Sequence, residues 1–245
     1  MLKRLGRPLN KLFYSFGYNI VPRHKIIPPT KGENWAEKLN IHTIIDIGSN
    51  EGQFITEIAN LLPGRKIFAF EPISACYKKL IANTKNIDVT AFNTGLSDIK
   101  GSAEINISNN FVSSSILEME DLHKSSYPES HFVKKETIQL NRLDDVLAKE
   151  ELKESVLIKM DVQGYEEKVI LGGERTFAKA SALIIESIFE PFYEGQWLFD
   201  DIYTHFTQRG FKFLGFTDQV NSKKTGIPLY ADSIFIKKEL VPEIL

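Results

Sequence analysis

From residue 43 onward, short and wholly apolar runs alternate with longer segments whose apolar residues recur every three or four positions. No other feature of the chain restricts its fold as much. Thr43–Ile47 is the kind of run expected of a strand buried on both faces, and it ends in Gly48. Phe54, Ile55, Ile58, Leu61 and Leu62 follow at helical spacing and stop at Pro63-Gly64. Lys66–Phe70 is a second buried strand, Tyr77, Leu80 and Ile81 mark a second helix, and Ile87–Phe92 is a third strand. This order, with its short connections, predicts a parallel sheet wound by right-handed crossovers.

Residues 97–141 break the rhythm. Ala103–Ile107 and Lys135–Leu140 alternate as half-exposed strands do, with a polar stretch between them that holds His123 and His131. The expectation is an insertion made of a β-ribbon and a mobile loop, the sort of element that often carries specificity. Alternation then resumes with strand Ser155–Asp161, helix Tyr165–Leu171, strand Ala182–Glu186 and helix Leu198–Arg209. Phe211–Phe216 and Asp232–Ile236 close the chain with no helical segment between them, which suits an antiparallel pair at one edge. The fold class is α/β: seven strands, mostly parallel, with one antiparallel edge strand.

Composition narrows the function. Cys76 is the only cysteine, so neither an internal disulfide framework nor a thiolate zinc cluster can form, and the helical pattern gives Cys76 a plain structural reading. A net charge of −2 offers no global field for nucleic acid. No apolar run reaches the roughly 20 residues that span a bilayer. The charge is uneven, however: residues 1–30 carry six Lys and Arg and no acid, leaving −8 for the remainder. Leu2, Leu5, Leu9, Leu12 and Phe16 form an apolar stripe there, while Pro8 would strain a helix beyond its first turn. Residues 1–31 are therefore expected to be a basic amphipathic arm, docked on the domain or on a partner, or lying on an anionic membrane surface. Residues 32–245 form the main domain. The expected location is cytoplasmic, with peripheral membrane contact open to the arm.

Ligands of an open parallel sheet bind beyond the carboxyl ends of its strands. The residues there are Asp46 to Gly52, Glu71, Asn93 to Ser97, Asp161 to Gly164, and Glu186. Carboxylates gathered at one rim repel each other, and a ligand with cationic groups and hydroxyls would offset this. The first loop is not a dinucleotide fingerprint: a G-x-G-x-x-G pattern opening at Gly48 would need glycines where Asn50 and Gln53 stand, and a P-loop is absent. Glu71, 23 residues after Gly48, can accept two hydrogen bonds from a ribose diol. Each feature also has a structural reading: Gly48 and Gly52 as turn glycines, Asp46 as an isolated cap, Glu71 at a helix start, and Ser97-Asp98 as turn chemistry.

Together these residues resemble the FkbM-type family of S-adenosylmethionine (SAM)-dependent methyltransferases, over about residues 42–237. The carriers are Ile45–Gly52, Phe70–Pro72, Asn93–Asp98, Leu140–Asp144, Ala231–Phe235 and, most specifically, Ile158–Glu166. Gly95 departs mildly from the pattern, where the family is expected to have alanine. The resemblance implies a Rossmann-like class I methyltransferase fold with SAM as cofactor. The Gly48–Gly52 loop, with Asn50, would cradle the methionine moiety and Asp46 would lie toward its ammonium group. Glu71 would hold the ribose, and Asn93 with Leu96 would border the adenine. Family members typically methylate hydroxyls of sugars or polyketide-like products, so the expected partner is a small-molecule or glycan hydroxyl acceptor, not nucleic acid.

Such a reaction needs aligned reactants and a base. The candidates are Asp161, Glu186 and His131, with Asp161 preferred because its strand ends over the sheet centre. His123 and His205 are weaker candidates, Glu166 is read as supporting a helix start, and Lys159 as paired. Asp161 and Glu186 could also share a hard ion such as magnesium, though no third ligand is visible and no metal is expected. Two rivals remain: a binding or scaffold domain that keeps the fold without the reaction, and an NAD-dependent oxidoreductase, which the missing glycines oppose.

Overall fold

A computed structural model describes residues 35–127 and 129–244. The chain divides into two units, Met1–Lys38 and Leu39–Leu245. Of the first, only the helical turn α1 (Trp35–Lys38) is described, so the proposed basic arm lies outside the described residues.

The main sheet belongs to the second unit. It is built from β1 (Thr43–Ile47), β2 (Lys66–Phe70) and β3 (Val89–Phe92), with helices α2 (Gln53–Leu61) and α3 (Ser74–Asn83) as crossovers. The chain later supplies β7 (Val156–Met160), β8 (Ala180–Ile188), β9 (Phe211–Asn221) and β10 (Pro228–Lys237). The strand order is β3-β2-β1-β7-β8-β10-β9. β1 and β7 are buried along their whole length, as apolar runs sandwiched between helix layers must be. The expected antiparallel pair stands at the C-terminal edge. Within it the reversed strand is β10, which slots between β8 and β9 and is one place in from the edge. The seven-stranded, mostly parallel sheet is that of the Rossmann-like class I methyltransferase fold.

The direction of winding reverses between β1 and β7. Strands β2 and β3 extend the sheet on one side of that line and β8 on the other, so the carboxyl ends of β1 and β7 flank the switch point where open α/β sheets bind ligands.

The insertion is richer than a ribbon with a loop. A short strand β4 (Gly95–Leu96) runs parallel to β6 (Phe132–Asn141), which pairs antiparallel with β5 (Gly101–Ser108). Ile105, Ile107, Ile138 and Leu140 from this sheet pack with Ile73 and Cys76 in a separate small core. Between β5 and β6 lie a 3-10 turn (Phe111–Ser113) and helix α4 (Asp121–Ser126). This stretch is pinned in place: Asn106 bridges Ser115, and Met119 bridges Tyr193 beyond β8. Three further helices complete the part that bears on the site: α5 (Leu143–Val146), α6 (Glu166–Gly172) and α7 (Glu174–Ala178). Asp144 binds the start of α7 by accepting from the Thr176 amide and hydroxyl at 2.8 and 2.7 Å. Burial alone would raise its pKa, but these bonds and those from Arg175 outweigh that and lower it.

Candidate active site

The turn after β1 is set by backbone geometry. Gly48 has φ +82, and a Cβ there would sit 1.8 Å from the Asp161 carbonyl oxygen, so only glycine lets the ends of β1 and β7 meet. Its amide and that of Ser49 both donate to the Phe70 carbonyl at 3.0 Å, tying the turn to β2. Glu71 then closes the loop from the other side. Its two oxygens accept from the Asn50 amide at 2.8 Å and the Ile73 amide at 2.7 Å, and each oxygen keeps a further lone pair. Burial pushes Glu71 up to about 7 against these bonds.

A cleft of about 730 Å³, measured out to its mouth, lies over this turn. Gly48, Asn50, Glu71, Leu96 and Asp161 line it, and among the described residues its lining contains no Lys, Arg or His. The other three expected cofactor residues build the cleft from outside its lining. Asp46 is buried with its Oδ2 unpartnered, and burial pushes it up to about 7 over the opposing effects of Ser49 and Lys159. Gly52, at φ +87, starts α2. Asn93 spends its amide on the carbonyls of Glu71 and Pro72, at 2.9 and 3.0 Å, and is exposed.

A second cavity opens on the other side of Asp161. Asp161 and Gln163 line both spaces; Glu186, His123, Tyr127, Phe192 and Tyr230 join them in the second. The polar centre is Gln163. Its Nε2 donates to Asp161 Oδ1 and to Glu186 Oε2, each at 2.7 Å, while its Oε1 accepts from the Tyr193 hydroxyl at 2.8 Å. Its carbonyl accepts from the Ser115 hydroxyl of the insertion at 2.6 Å. At φ +53 the residue is left-handed, a conformation that costs a non-glycine residue about 1–2 kcal/mol, and this network offsets it. The next residue, Gly164, is also left-handed, and a Cβ on it would press on the Tyr193 ring at 3.0 Å.

Register explains why the carboxylates converge. Met160 pairs with Ile185 and Asp232 with Glu186, so Asp161, Glu186 and Asp232 fall in line across β7, β8 and β10. Glu186 is held well above the usual carboxylate range by burial and by the charge of Asp161 beside it. Lys159 is buried and bonded to Asp232 at 2.8 Å; burial alone would lower its pKa, but the carboxylates of Asp161, Asp232 and Glu186 outweigh that and raise it. Glu166 supports the start of α6 by accepting from the Gly164 amide at 3.2 Å. Among the described residues, no group of three or more His, Cys, Asp or Glu side chains could hold a metal ion.

The histidines sort differently from expectation. His131 is exposed, its ring bonded to the Glu129 carbonyl at 3.2 Å, and it lines neither space. His123, on α4, is the histidine brought to the second cavity, packed against Phe192 and Tyr193 at ring separations of 5.3 and 5.4 Å. Burial lowers its pKa, which keeps the ring neutral. His205 packs on Trp197 and Phe206 away from both spaces, and burial with Arg209 brings it down to about 4. Sequence reasoning passes over Gln163, although it lies inside the Ile158–Glu166 stretch, where a polar residue just before a turn glycine is the available signal. Tyr193 has none.

A winding reversal with a glycine turn and an acid after the second strand are features of a Rossmann-like ligand-binding domain, and the family match makes that domain a SAM-dependent methyltransferase. The chain belongs to the FkbM family: the "Methyltransferase FkbM domain" model matches residues 46–213. It is 32% identical over 161 residues to the 2-O-methyltransferase NoeI of Sinorhizobium fredii (strain NBRC 101917 / NGR234), covering 62% of this chain and 66% of that protein. It is 28% identical over 172 residues to the methyltransferase sdnD of Sordaria araneosa, covering 60% of this chain and 66% of that one. The chain thus spans just under two thirds of the length of both relatives. Among solved structures, the bifunctional kinase-methyltransferase WbdD matches with a TM-score of 0.48 and 13% identity, over 83% of this chain and 37% of that one. Among the described residues, no helix is long and apolar enough to cross a membrane.

Proposed function

We propose that the protein transfers the methyl group of SAM to a hydroxyl of a sugar or sugar-like acceptor, with Asp161 as the base. One observation carries this reading: Asp161 lines both the cleft over the Gly48 turn and the second cavity, so a donor in one and an acceptor in the other would meet at its carboxylate.

The residues of the cleft suit SAM. Asp46 Oδ2 and Asn50 Oδ1 are buried without partners, and a ligand with an ammonium group and hydroxyls would satisfy such atoms. A lining with carboxylates and, among the described residues, no cation opposes a pyrophosphate and favours a cationic ligand. Gly48 and Asn50 would hold the methionine end with Asp46 lying toward its ammonium group, Glu71 would hold the ribose and Leu96 the adenine, and Gly52 and Asn93 would hold the cleft in shape. When bound, SAM would supply a methyl carbon activated by its sulfonium, for an acceptor oxygen to take while the C–S electron pair stays with sulfur. Asp161 takes the hydroxyl proton. Burial and the neighbouring Asp161 raise the Glu186 carboxyl well above the usual range. Tyr127, Phe192 and Tyr230 offer flat apolar walls beside polar groups, a surface suited to the faces of a pyranose ring. The name of the relative NoeI, a 2-O-methyltransferase, supports an oxygen acceptor on a numbered carbon framework such as a sugar ring.

Calorimetric titration with S-adenosylhomocysteine (SAH), and with NAD in parallel, tests the donor site: saturable binding of SAH alone is expected. Labelled methyl transfer to a panel of methyl glycopyranosides tests the acceptor. SAH binding with no glycoside methylated would overturn the sugar reading.

A further inference from the structure

Asp161 is not free to turn. Its Oδ1 is held by the Gln163 amide, which at the same time holds Glu186, and that amide is itself held by the hydroxyl of Tyr193. The amide meets both carboxyl groups through its Nε2, so its oxygen faces away from them. Tyr193 stands where the oxygen faces. The ring is wholly buried, and burial with the nearby Glu186 and Asp161 raises its pKa, so the hydroxyl stays protonated and donates. Both ends of the amide therefore demand the same orientation.

The backbone around Gln163 is fixed as firmly. Left-handed Gln163 and Gly164 turn the chain sharply after β7, and the absence of a side chain on Gly164 lets the Tyr193 ring lie against it. Ser115 ties the Gln163 carbonyl to the insertion. The Met119–Tyr193 bridge, with the Glu120 amide on the Phe192 carbonyl at 2.8 Å, ties the same insertion to the segment carrying Tyr193.

We infer that Gln163, oriented by the Tyr193 hydroxyl, is the positioning residue of the reaction: its amide holds the Asp161 carboxylate beside Glu186, at the junction of the two spaces, in the orientation that receives the acceptor proton. The inference rests on the hydroxyl-methylation reading. Tyr193 lines neither space, so its hydroxyl acts on the reaction only through Gln163. That makes it a clean probe.

The experiment is a double-mutant cycle on methyl transfer to an accepted methyl glycopyranoside, using Tyr193→Phe, Gln163→Met and the double variant, with SAH affinity and thermal melting measured on each. Tyr193→Phe removes one oxygen and keeps the ring. It is expected to lower kcat about tenfold, with the acceptor KM and the SAH Kd within about twofold, since a small misplacement of a reacting group alone costs rate on this order. Gln163→Met is expected to lower kcat further, and adding Tyr193→Phe to it should cost nothing more, because both act on one carboxylate. Wild-type kcat in Tyr193→Phe, or losses that multiply in the double variant, would overturn the inference. Tyr193→Phe carries the test even if Gln163→Met does not fold. Failure of the underlying reading shows separately, as wild-type protein that binds SAH and methylates no glycoside, and the inference then falls with it.

Discussion

The cleft over the Gly48 turn and the cavity beyond Asp161 share a wall but are made in different ways. The floor of the cleft is local, although the insertion and the end of β7 complete its walls. Asn50 and Glu71 are 21 residues apart, joined by a single crossover helix, and they meet amide to carboxylate at 2.8 Å. The cavity draws on α4 of the insertion, the end of β7, the end of β8, the segment after it and β10, so His123 and Tyr230 come together from more than a hundred residues apart. Backbone turns make the floor of the first, and side chains converging from distant segments make the polar centre of the second.

The sharpest way to separate the two spaces is Asp161→Asn. It should lower kcat by about 10²–10⁴-fold, the usual contribution of a positioned base, while SAH affinity changes little. Equal losses in both would make Asp161 a binding residue and merge the two regions. Gly48→Ala attacks the wall itself. With a Cβ 1.8 Å from the Asp161 carbonyl at φ +82, it should destabilise the fold by about 3 kcal/mol, read from urea unfolding, and weaken both sites together. Glu71→Ala should act on the cleft and its loop: SAH binding weakens about 10- to 100-fold as charge-assisted bonds are lost, and stability falls by about 1–3 kcal/mol because the Asn50 and Ile73 amides lose their acceptor. An unchanged affinity would remove its ribose role.

The smallest effect expected is one of pH. Asp46 and Glu71 both stand at about 7 in the fold, above their ordinary values, so the native state holds their protons more tightly than the unfolded chain does. Their contribution to stability therefore falls as pH rises from about 4 toward 7. A ligand bearing an ammonium group favours the ionised forms. SAH affinity should thus rise about three- to tenfold between pH 6 and 8 and level off above, with protons released on binding. A flat profile without proton release would mean that neither carboxyl faces the ligand's charge.

How much of this was legible depended on distance along the chain. The five strands of the parallel core, β1, β2, β3, β7 and β8, announced themselves as apolar runs, because helices cover both faces of the sheet there. Gly48, Glu71 and Asp161 were legible because strand ends are where such sheets bind ligands. The 3-10 turn and α4 were not, since six-residue helices leave too short a pattern to read. The choice between His123 and His131 was equally hidden. Eight residues separate them in a polar stretch, and only the packing of α4 on Phe192 and Tyr193 decides which one is buried.

By itself, the amino-acid sequence determined the winding of the sheet, the glycine turn at its switch point and the acids along its rim, because these follow from periodicity, backbone sterics and the ends of strands. Only the tertiary structure decided that β10 lies inside β9, that Asp161, Glu186 and Asp232 align across three strands, and that Tyr193 meets Gln163. Those are matters of register and of loops packed from afar, and a contact between distant side chains leaves no period in the sequence to reveal it.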